Sequence, residues 1–221
     1  MTRAASRIQM DPLQNLFACY RKKKREIEER LRDFQAIWHK GEEDLFAELC
    51  FCLLTPQSKA EACDDIVRTL TRNRLLFEGS LEEIAPFLKK TRFYKTKAKY
   101  LLEARRLFRG NGTFRIREKL DLRHVRTTRD RLVQQVKGLG YKEASHFLRN
   151  VGLGEDLAIL DIHVLRSLKK FGILRVLPSS LTPKRYLAIE EKLRHFSRRT
   201  GIPLSHLDLL LWYVETRRIF K

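Results

Sequence analysis

The sequence predicts an all-α protein, and two features of its patterning indicate that class. Apolar residues recur at helical spacing along most of the 221 residues. No segment alternates apolar and polar residues over several cycles between turn signals, so strands should be absent or minor. About ten helices are expected from this spacing. Because no low-complexity linker interrupts the chain, any two lobes should share a close interface.

The first helices have recognisable ends. Asp11-Pro12 supplies an N-cap and a first-turn proline for the opening helix. The densely apolar run over 42–54 predicts a buried helix, which Pro56 stops. Ser58 is expected to cap the next helix, because Glu61 follows at the spacing of a capping box.

The same capping pattern recurs at Ser80 and Glu83, where it predicts a short helix to Leu88. Gly110-Asn111-Gly112 is expected to end the helix that follows, because glycine tolerates the conformation found after a helix terminus. The remaining helices are expected at about residues 94–108, 129–136, 141–150, 161–171, 182–199 and 205–218.

The charge of the chain points to a polyanionic partner. Lys and Arg number 46 against 27 Asp and Glu, which gives a net charge of +19. An excess of this size repels itself unless a polyanion compensates it, and DNA or RNA is a better candidate than an anionic membrane surface. Residues 1–30 are too charged for a signal peptide, and no apolar run of about 18 residues occurs. We expect a monomer without a membrane partner, in the cytoplasm and associated with the nucleoid.

The four cysteines fit a reduced protein without a metal site. Cys19, Cys50, Cys52 and Cys63 all lie in the first third of the chain, and no C-x-x-C occurs. Cys50 and Cys52 are two residues apart within a helix, so they face different sides and are poorly placed as joint ligands. They are expected to act as small core residues, and no cofactor is expected.

A glycine-rich turn between two helices is the most informative local pattern. Gly138 and Gly140 are two residues apart and directly precede the helix that begins near Tyr141. Glycine permits positive φ and a close approach of the backbone to another molecule. The helix start adds free N–H groups and the positive end of the helix dipole, so the turn is expected to bind a DNA phosphate.

Two segments together resemble the helix-hairpin-helix and aspartate signature of the endonuclease III superfamily. They are residues 137–144 (Lys-Gly-Leu-Gly-Tyr-Lys-Glu-Ala) and residues 160–163 (Leu-Asp-Ile-His). Asp161 follows Lys142 by 19 positions, which suits the signature. Lys137 replaces the usual proline before the first glycine. Residues 53–58 and 94–98 also look like superfamily segments, so the resemblance covers about residues 42–221.

The resemblance implies a DNA glycosylase fold of two helical lobes with the active site between them. Residues 42–155 would form a six-helix lobe containing the hairpin. Residues 1–41 and 156–221 would form a second, discontinuous lobe that carries Asp161 and the C-terminal helix.

The resemblance also implies roles for Lys142 and Asp161. Breaking an N-glycosidic bond builds positive charge on the sugar, which a nearby carboxylate stabilises. Lys142 would be the nucleophile of a bifunctional glycosylase, which forms a Schiff base and then cleaves the strand. Its position at a helix N-terminus among cations favours the neutral amine that such a step needs. Asp161 can equally cap the next helix, and the two roles are compatible.

The resemblance implies DNA contacts for two further residues. His163 would contact a phosphate, although a histidine on a helix surface needs no such role. Gln57 matches the position from which superfamily members place a polar side chain into the gap left by a flipped nucleotide. By sequence alone it is an ordinary loop residue.

The C-terminus resembles the short archaeal-type 8-oxoguanine DNA glycosylases, the second branch of the Ogg family. No cysteine follows Cys63, so the iron–sulfur cluster of the endonuclease III branch is not expected. The substrate would be duplex DNA containing oxidised guanine. Residues that would hold the flipped base are Asp208, Trp212, Phe220 and Lys221, whose terminal carboxylate would accept from the N7–H that oxidation creates.

Each of these positions also fits a purely structural role. Trp212 also fits a core position, Asp208 an ion pair with an arginine, and Phe220-Lys221 a frayed end. At the level of function, a glycosylase without lyase activity would usually lack Lys142. A non-catalytic DNA-binding module or a ribosome-associated protein would need only the glycines and the charge.

Overall fold

The computed structural model describes residues 12–220, which are mostly helical. The α-helices of these residues are α1 (Pro12–Trp38), α2 (Glu42–Leu54), α3 (Ala60–Arg72), α4 (Leu75–Glu78), α5 (Leu81–Ile84), α6 (Tyr94–Phe108), α7 (Val125–Gln135), α8 (Tyr141–Asn150), α9 (Ile162–Lys170), α10 (Pro183–Thr200) and α11 (Leu204–Thr216). Short 3-10 helices lie at Ala85–Lys90 and Arg117–Lys119. The prediction of an all-α fold is confirmed.

Strands are as minor as expected. Arg109–Gly110 pairs antiparallel with Thr113–Phe114, and no other strand occurs within residues 12–220. Asn111 and Gly112 form the turn between them with φ of 51° and 82°. The predicted stop of α6 is therefore a small hairpin.

Three helix starts and ends differ from the predictions. The capping box at Ser58 is wrong, because Lys59 precedes α3 and the Ser58 hydroxyl accepts from Lys97 and from the Arg92 amide. The box at Ser80 is confirmed, but its helix ends at Ile84 and continues as a 3-10 helix because Pro86 has no N–H to donate. Helix α7 begins before the expected residue 129, and Asp11, the expected first cap, lies outside the described residues.

The buried apolar side chains form two clusters. The first takes residues from Leu45 to Leu157 and so contains the helices α2 to α8. The second combines three residues of α1 with residues from Ala158 to Leu211, and within it α11 packs against α9 and α1. The boundary of the two proposed lobes stays a prediction, but the change of cluster between Leu157 and Ala158 lies close to it.

Two buried ion pairs connect elements of the two clusters. Arg129 of α7 donates to both carboxylate oxygens of Glu190 in α10, at 2.6 and 2.9 Å. Arg149 of α8 donates to Asp208 of α11 at 2.8 Å. Both arginines are less than 10% exposed, so their charges depend on these partners.

All four cysteines carry free thiols, and Cys50, Cys52 and Cys63 are buried as expected of core residues. Among residues 12–220, the longest apolar stretches of helix fall short of what crossing a bilayer requires.

Candidate active site

A cavity of about 860 Å³ lies between the two apolar clusters. Its wall is built from the loop after α2 with the start of α3, one side of α8 along most of its length, and the segment before α9 with the first turn of α9. The side of α11 from Asp208 onward and the residues that follow α11 complete it. The predicted site residues that line it are Gln57, Lys142, Asp161, His163, Asp208, Trp212 and Phe220. A pocket of this size holds a small molecule or one nucleotide. Residues far apart in sequence are thus brought to one place.

The hairpin before α8 has the geometry that its glycines require. Gly138 has φ of 85°, and a Cβ there would lie 2.2 Å from Cδ2 of Tyr100. No other residue therefore fits without moving the Tyr100 ring. Gly140 is the N-cap of α8, and its N–H donates to Glu143 Oε2 at 3.2 Å. Neither glycine lines the cavity, and their contact with DNA stays a prediction.

Lys142 lies in the first turn of α8, with 22% of its side chain exposed on the cavity wall. Its Nζ lies 3.3 Å from Glu143 Oε1 and 3.4 Å from Thr55 Oγ1. The Thr55 hydroxyl donates to the Cys52 carbonyl at 2.9 Å, so its oxygen is free to accept from Lys142. The amine is therefore held by the helix that carries it and by the end of α2.

Asp161 is the N-cap of α9, and its Oδ1 accepts from the Val164 amide at 2.8 Å. The expected cap is thus confirmed. The cap uses one carboxylate oxygen, so a role for the other at the cavity is compatible with it.

The segment that leads to Asp161 is fixed by side chains along its backbone. The amide of Ala158 donates to Glu190 at 2.9 Å, that of Ile159 to Asp208 at 3.3 Å, and that of Leu160 to the Tyr186 hydroxyl at 3.3 Å. Three successive N–H groups are therefore satisfied by side chains from α10 and α11. This explains why buried carboxylates lie beneath the site.

Asp208 is 3% exposed and is held by Arg149 and the Ile159 amide, so the ion-pair alternative is observed. Whether its carboxylate also meets a base stays a prediction. Arg149 further donates to Asn150, whose amide donates to Glu48 of α2 at 3.0 Å. A buried polar chain therefore runs under the cavity from α2 to α11.

Trp212 follows Asp208 by one helical turn and is partly exposed at the cavity. His163 meets its ring edge-on, with ring centroids 6.2 Å apart. Trp212 therefore offers an aromatic surface at the wall rather than a fully buried core side chain.

The chain after α11 forms part of the cavity wall, which Arg218 and Phe220 line. Arg217 has φ of 62°, and Arg218 pairs with Glu61 of α3 at 3.0 Å. Phe220 then packs against the first apolar cluster. Lys221, the predicted reader of oxidised guanine, lies outside the described residues.

Lys97 lies in the segment 94–98 that resembles the superfamily, but no role for it was predicted from the sequence. It is 4% exposed, and its Nζ donates to the Leu54 and Pro56 carbonyls and to the Ser58 hydroxyl. A signal was present, because position 97 is in the same helical stripe as Leu101 and Ala104 of α6. A charged residue in a buried stripe needs partners, and it finds them here in the loop after α2.

No group of three or more metal-ligating side chains occurs in the part of the chain that the structure describes.

Comparison with known proteins gives consistent matches over most of the chain. A family model described as 8-oxoguanine DNA glycosylase matches residues 27–202. A protein of Fusobacterium nucleatum named 8-oxoguanine DNA glycosylase/AP lyase is 44% identical over 204 residues, covering 91% of this chain and 94% of that protein. A protein of the same name from Korarchaeum cryptofilum is 44% identical over 198 residues, covering 88% and 90%.

Solved structures match the fold to a similar extent. The Methanocaldococcus jannaschii 8-oxoguanine glycosylase/lyase, crystallised with a 15mer DNA containing 8-oxoguanine, superposes with a TM-score of 0.84 at 34% identity. The alignment covers 94% of this chain and all of that one. The Thermotoga maritima 8-oxoguanine DNA glycosylase gives a TM-score of 0.83 at 35% identity, covering 95% and 98%.

Proposed function

This chain belongs to the 8-oxoguanine DNA glycosylase family, and we propose that it excises 8-oxoguanine through a Schiff base on Lys142. The strand would then be cut at the abasic site by β-elimination. The observation that carries the proposal is the meeting of Lys142, Asp161 and Trp212 in one cavity between the two apolar clusters. A nucleophile, a carboxylate and an aromatic surface are the groups that this reaction needs.

The chemical steps assign distinct roles to Lys142 and Asp161. The neutral Lys142 amine attacks C1′ while the bond to the base breaks, and the Asp161 carboxylate stabilises the positive charge on the sugar. The departing base takes up a proton, and opening of the sugar ring gives an imine between C1′ and Nζ. Loss of a proton from C2′ then expels the 3′ phosphate. Water hydrolyses the imine and releases the lysine.

The end of the chain is proposed to read the base. A flipped guanine base would stack on Trp212 and lie near Phe220, both of which line the cavity. Its N1–H and N2–H suit a carboxylate such as Asp208. Oxidation turns N7 from an acceptor into a donor, so the terminal carboxylate of Lys221 would accept from 8-oxoguanine and not from guanine.

The remaining predicted residues would hold the duplex. The Gly138–Gly140 turn and His163 are proposed to contact phosphates, and Gln57 to fill the gap left by the flipped nucleotide. The net charge of +19 supports DNA as the partner, because neutralised phosphates release counterions.

Trapping with borohydride tests the proposal directly. The protein is incubated with a duplex that contains one 8-oxoguanine opposite cytosine, and borohydride reduces any imine to a stable protein–DNA adduct. We expect an adduct for the wild type, none for Lys142→Gln and much less for Asp161→Asn. Lys24→Gln removes an exposed amine of α1 and should trap like the wild type.

Other outcomes would change the assignment. If an adduct forms on a preformed abasic site but not on 8-oxoguanine, the proposed strand cleavage through an imine stands and the assignment of 8-oxoguanine as the substrate base is rejected. Tight duplex binding with no adduct on either substrate would instead indicate a non-catalytic DNA-binding module.

A further inference from the structure

The ammonium of Lys97 is buried at the C-terminal end of α2. Its three acceptors are the Leu54 carbonyl at 2.6 Å, the Pro56 carbonyl at 2.7 Å and the Ser58 hydroxyl at 2.9 Å. They match the three N–H donors of a lysine in number. The last carbonyls of a helix carry partial negative charge, which a cation stabilises. Burial lowers the pKa of Lys97, so the cation is kept there at a cost that these contacts offset.

The loop that Lys97 holds contains Gln57. Gln57 is exposed at the cavity and has φ of 53°, a conformation that costs a non-glycine residue free energy. Lys97 bonds the residues on both sides of it, Pro56 and Ser58. The Ser58 hydroxyl also accepts from the Arg92 amide at 3.1 Å, which ties this loop to the chain before α6. Within the loop, the Ser58 amide donates to the Thr55 carbonyl at 3.0 Å. The contacts from Lys97 and from the Arg92 amide add to this internal hydrogen bond and fix the turn that contains Gln57 from outside as well.

The loop that Lys97 holds also contacts the proposed nucleophile, Lys142. Thr55, at the start of the loop, is the residue whose hydroxyl contacts Lys142 Nζ. Lys97 itself does not line the cavity. It therefore has no direct route to the reacting atoms and acts through the loop.

We propose that Lys97 is a positioning residue that holds the loop of residues 55–58 so that Gln57 is ready to enter the duplex when a nucleotide flips out. The inference rests on the proposed role of Gln57. A loop already fixed does not need to be ordered at the moment of binding, and this lowers the free-energy cost of flipping.

The role predicts a difference between double-stranded and single-stranded substrates. In single-stranded DNA there is no stack to open, so a probing side chain contributes little. We expect Lys97→Met to slow 8-oxoguanine removal from a duplex by about 100-fold, the order of loss that misplacement of a group causes. Cleavage of a single-stranded oligonucleotide with one abasic site should remain within about threefold of wild type. That reaction needs no probing residue, and Lys142 keeps its contact with Glu143 of its own helix when the loop moves.

A double-variant cycle separates positioning from general structural damage. If Lys97 acts through Gln57, then Lys97→Met should slow a Gln57→Ala enzyme far less than it slows the wild type. Lys97→Arg, whose guanidinium can donate to the same carbonyls, should recover most of the duplex activity. Lys99→Met removes an exposed lysine from the same helix and is the matched control for lost charge.

Ser58→Ala is the milder variant if Lys97→Met folds poorly. It removes one of the three acceptors and should give a smaller loss with the same preference for duplex over single strand. Equal losses on both substrates, or losses that multiply in the double variant, would overturn the inference. A wild-type enzyme inactive on both substrates would reject the proposed function itself.

Discussion

Asp208 is the single residue whose chemistry burial changes most clearly. Burial raises the pKa of its carboxyl to about 6, and the neighbouring Arg149 guanidinium and Ile159 amide oppose this rise without cancelling it. Burial also lowers the pKa of Arg149. For both residues, burial thus makes the charged form less stable relative to the neutral form than it is in water, as expected for charges removed from solvent.

The raised pKa of Asp208 predicts how stability depends on pH. The folded protein keeps a proton on this carboxyl up to about pH 6, while the unfolded chain releases it near the ordinary value of 3.8. Unfolding free energy should therefore fall as pH rises from about 4 to 6, by on the order of 3 kcal/mol from this group. Urea unfolding of the wild type and of Asp208→Asn at several pH values isolates this effect, because the other titrating groups contribute equally to both proteins. The unfolding free energy of the wild type minus that of the variant should fall between pH 4 and 6. If it rises instead, attraction to Arg149 outweighs the cost of burying the carboxylate.

At the residue scale, the sequence allows prediction of candidate residues that belong to a recognisable motif. It does not allow prediction of residues whose importance comes from contacts with distant parts of the chain. Lys142 and Asp161 could be named as candidates, and their meeting in one cavity expected, because their spacing and the neighbouring glycines carry the signature. Lys97 and Arg149 were not, because their roles depend on carbonyls and carboxylates far away in sequence. The alternative that Asp208 pairs with an arginine was open, but the sequence could not name Arg149 among so many arginines.

At the scale of elements, the segment after α11 acts as a strap between α11 and α3. Its fixed points are the pair of Arg218 with Glu61 and the packing of Phe220 on the first cluster. The pair is exposed, so it contributes only about 0.2–1 kcal/mol. Its consequence is for the position of Phe220 at the cavity rather than for stability.

Reversing the charge of Glu61 tests this strap. Glu61→Arg sets two cations against each other, which should slow 8-oxoguanine excision by about twofold to fivefold, the kinetic equivalent of a surface pair. Cleavage of a preformed abasic site should change less, because it does not need base reading. The swap Glu61→Arg with Arg218→Glu should restore excision. Glu43→Arg, which breaks the exposed pair with Arg74, is the matched control.

Element boundaries were predictable where local chemistry fixes them. The start of α8 at Tyr141 followed from the preceding glycines, and the box at Ser80 followed from a side chain that reaches its own helix. The start of α3 did not follow, because the Ser58 hydroxyl accepts from Lys97 of α6 and from the Arg92 amide before α6 instead of from its own helix. Tertiary contacts override a local pattern when they offer the same group a stronger donor, here an ammonium.

At the scale of the whole molecule, the position of the two clusters depends on buried ion pairs as well as on apolar packing. Arg129 is 1% exposed, and besides Glu190 it donates to Ser145 of α8 at 3.1 Å. Glu190 also accepts the Ala158 amide. One ion pair therefore links α7, α8, α10 and the segment that leads to Asp161.

Removing one member of this pair should be costly. Arg129→Met leaves the Glu190 carboxylate buried without its main partner, and we expect a loss of about 3–5 kcal/mol of unfolding free energy. Adding Glu190→Met should recover part of it, because an apolar pair avoids the desolvation cost. Arg126→Met breaks an exposed pair with Asp156 and should cost less than about 1 kcal/mol. Urea denaturation followed by circular dichroism measures all four proteins, and equal losses for the two arginines would contradict the expectation.

The backbone before Asp161 is fixed amide by amide to α10 and α11. Ordering a residue costs about 1–2 kcal/mol of conformational entropy, and for these residues folding has already met that cost. When DNA binds, none of its binding energy needs to be spent on freezing this segment. The Asp161 carboxylate should consequently have the same position in the free enzyme as in the complex with DNA. The conformational cost of binding damaged DNA should then come from flipping the nucleotide and not from ordering this segment.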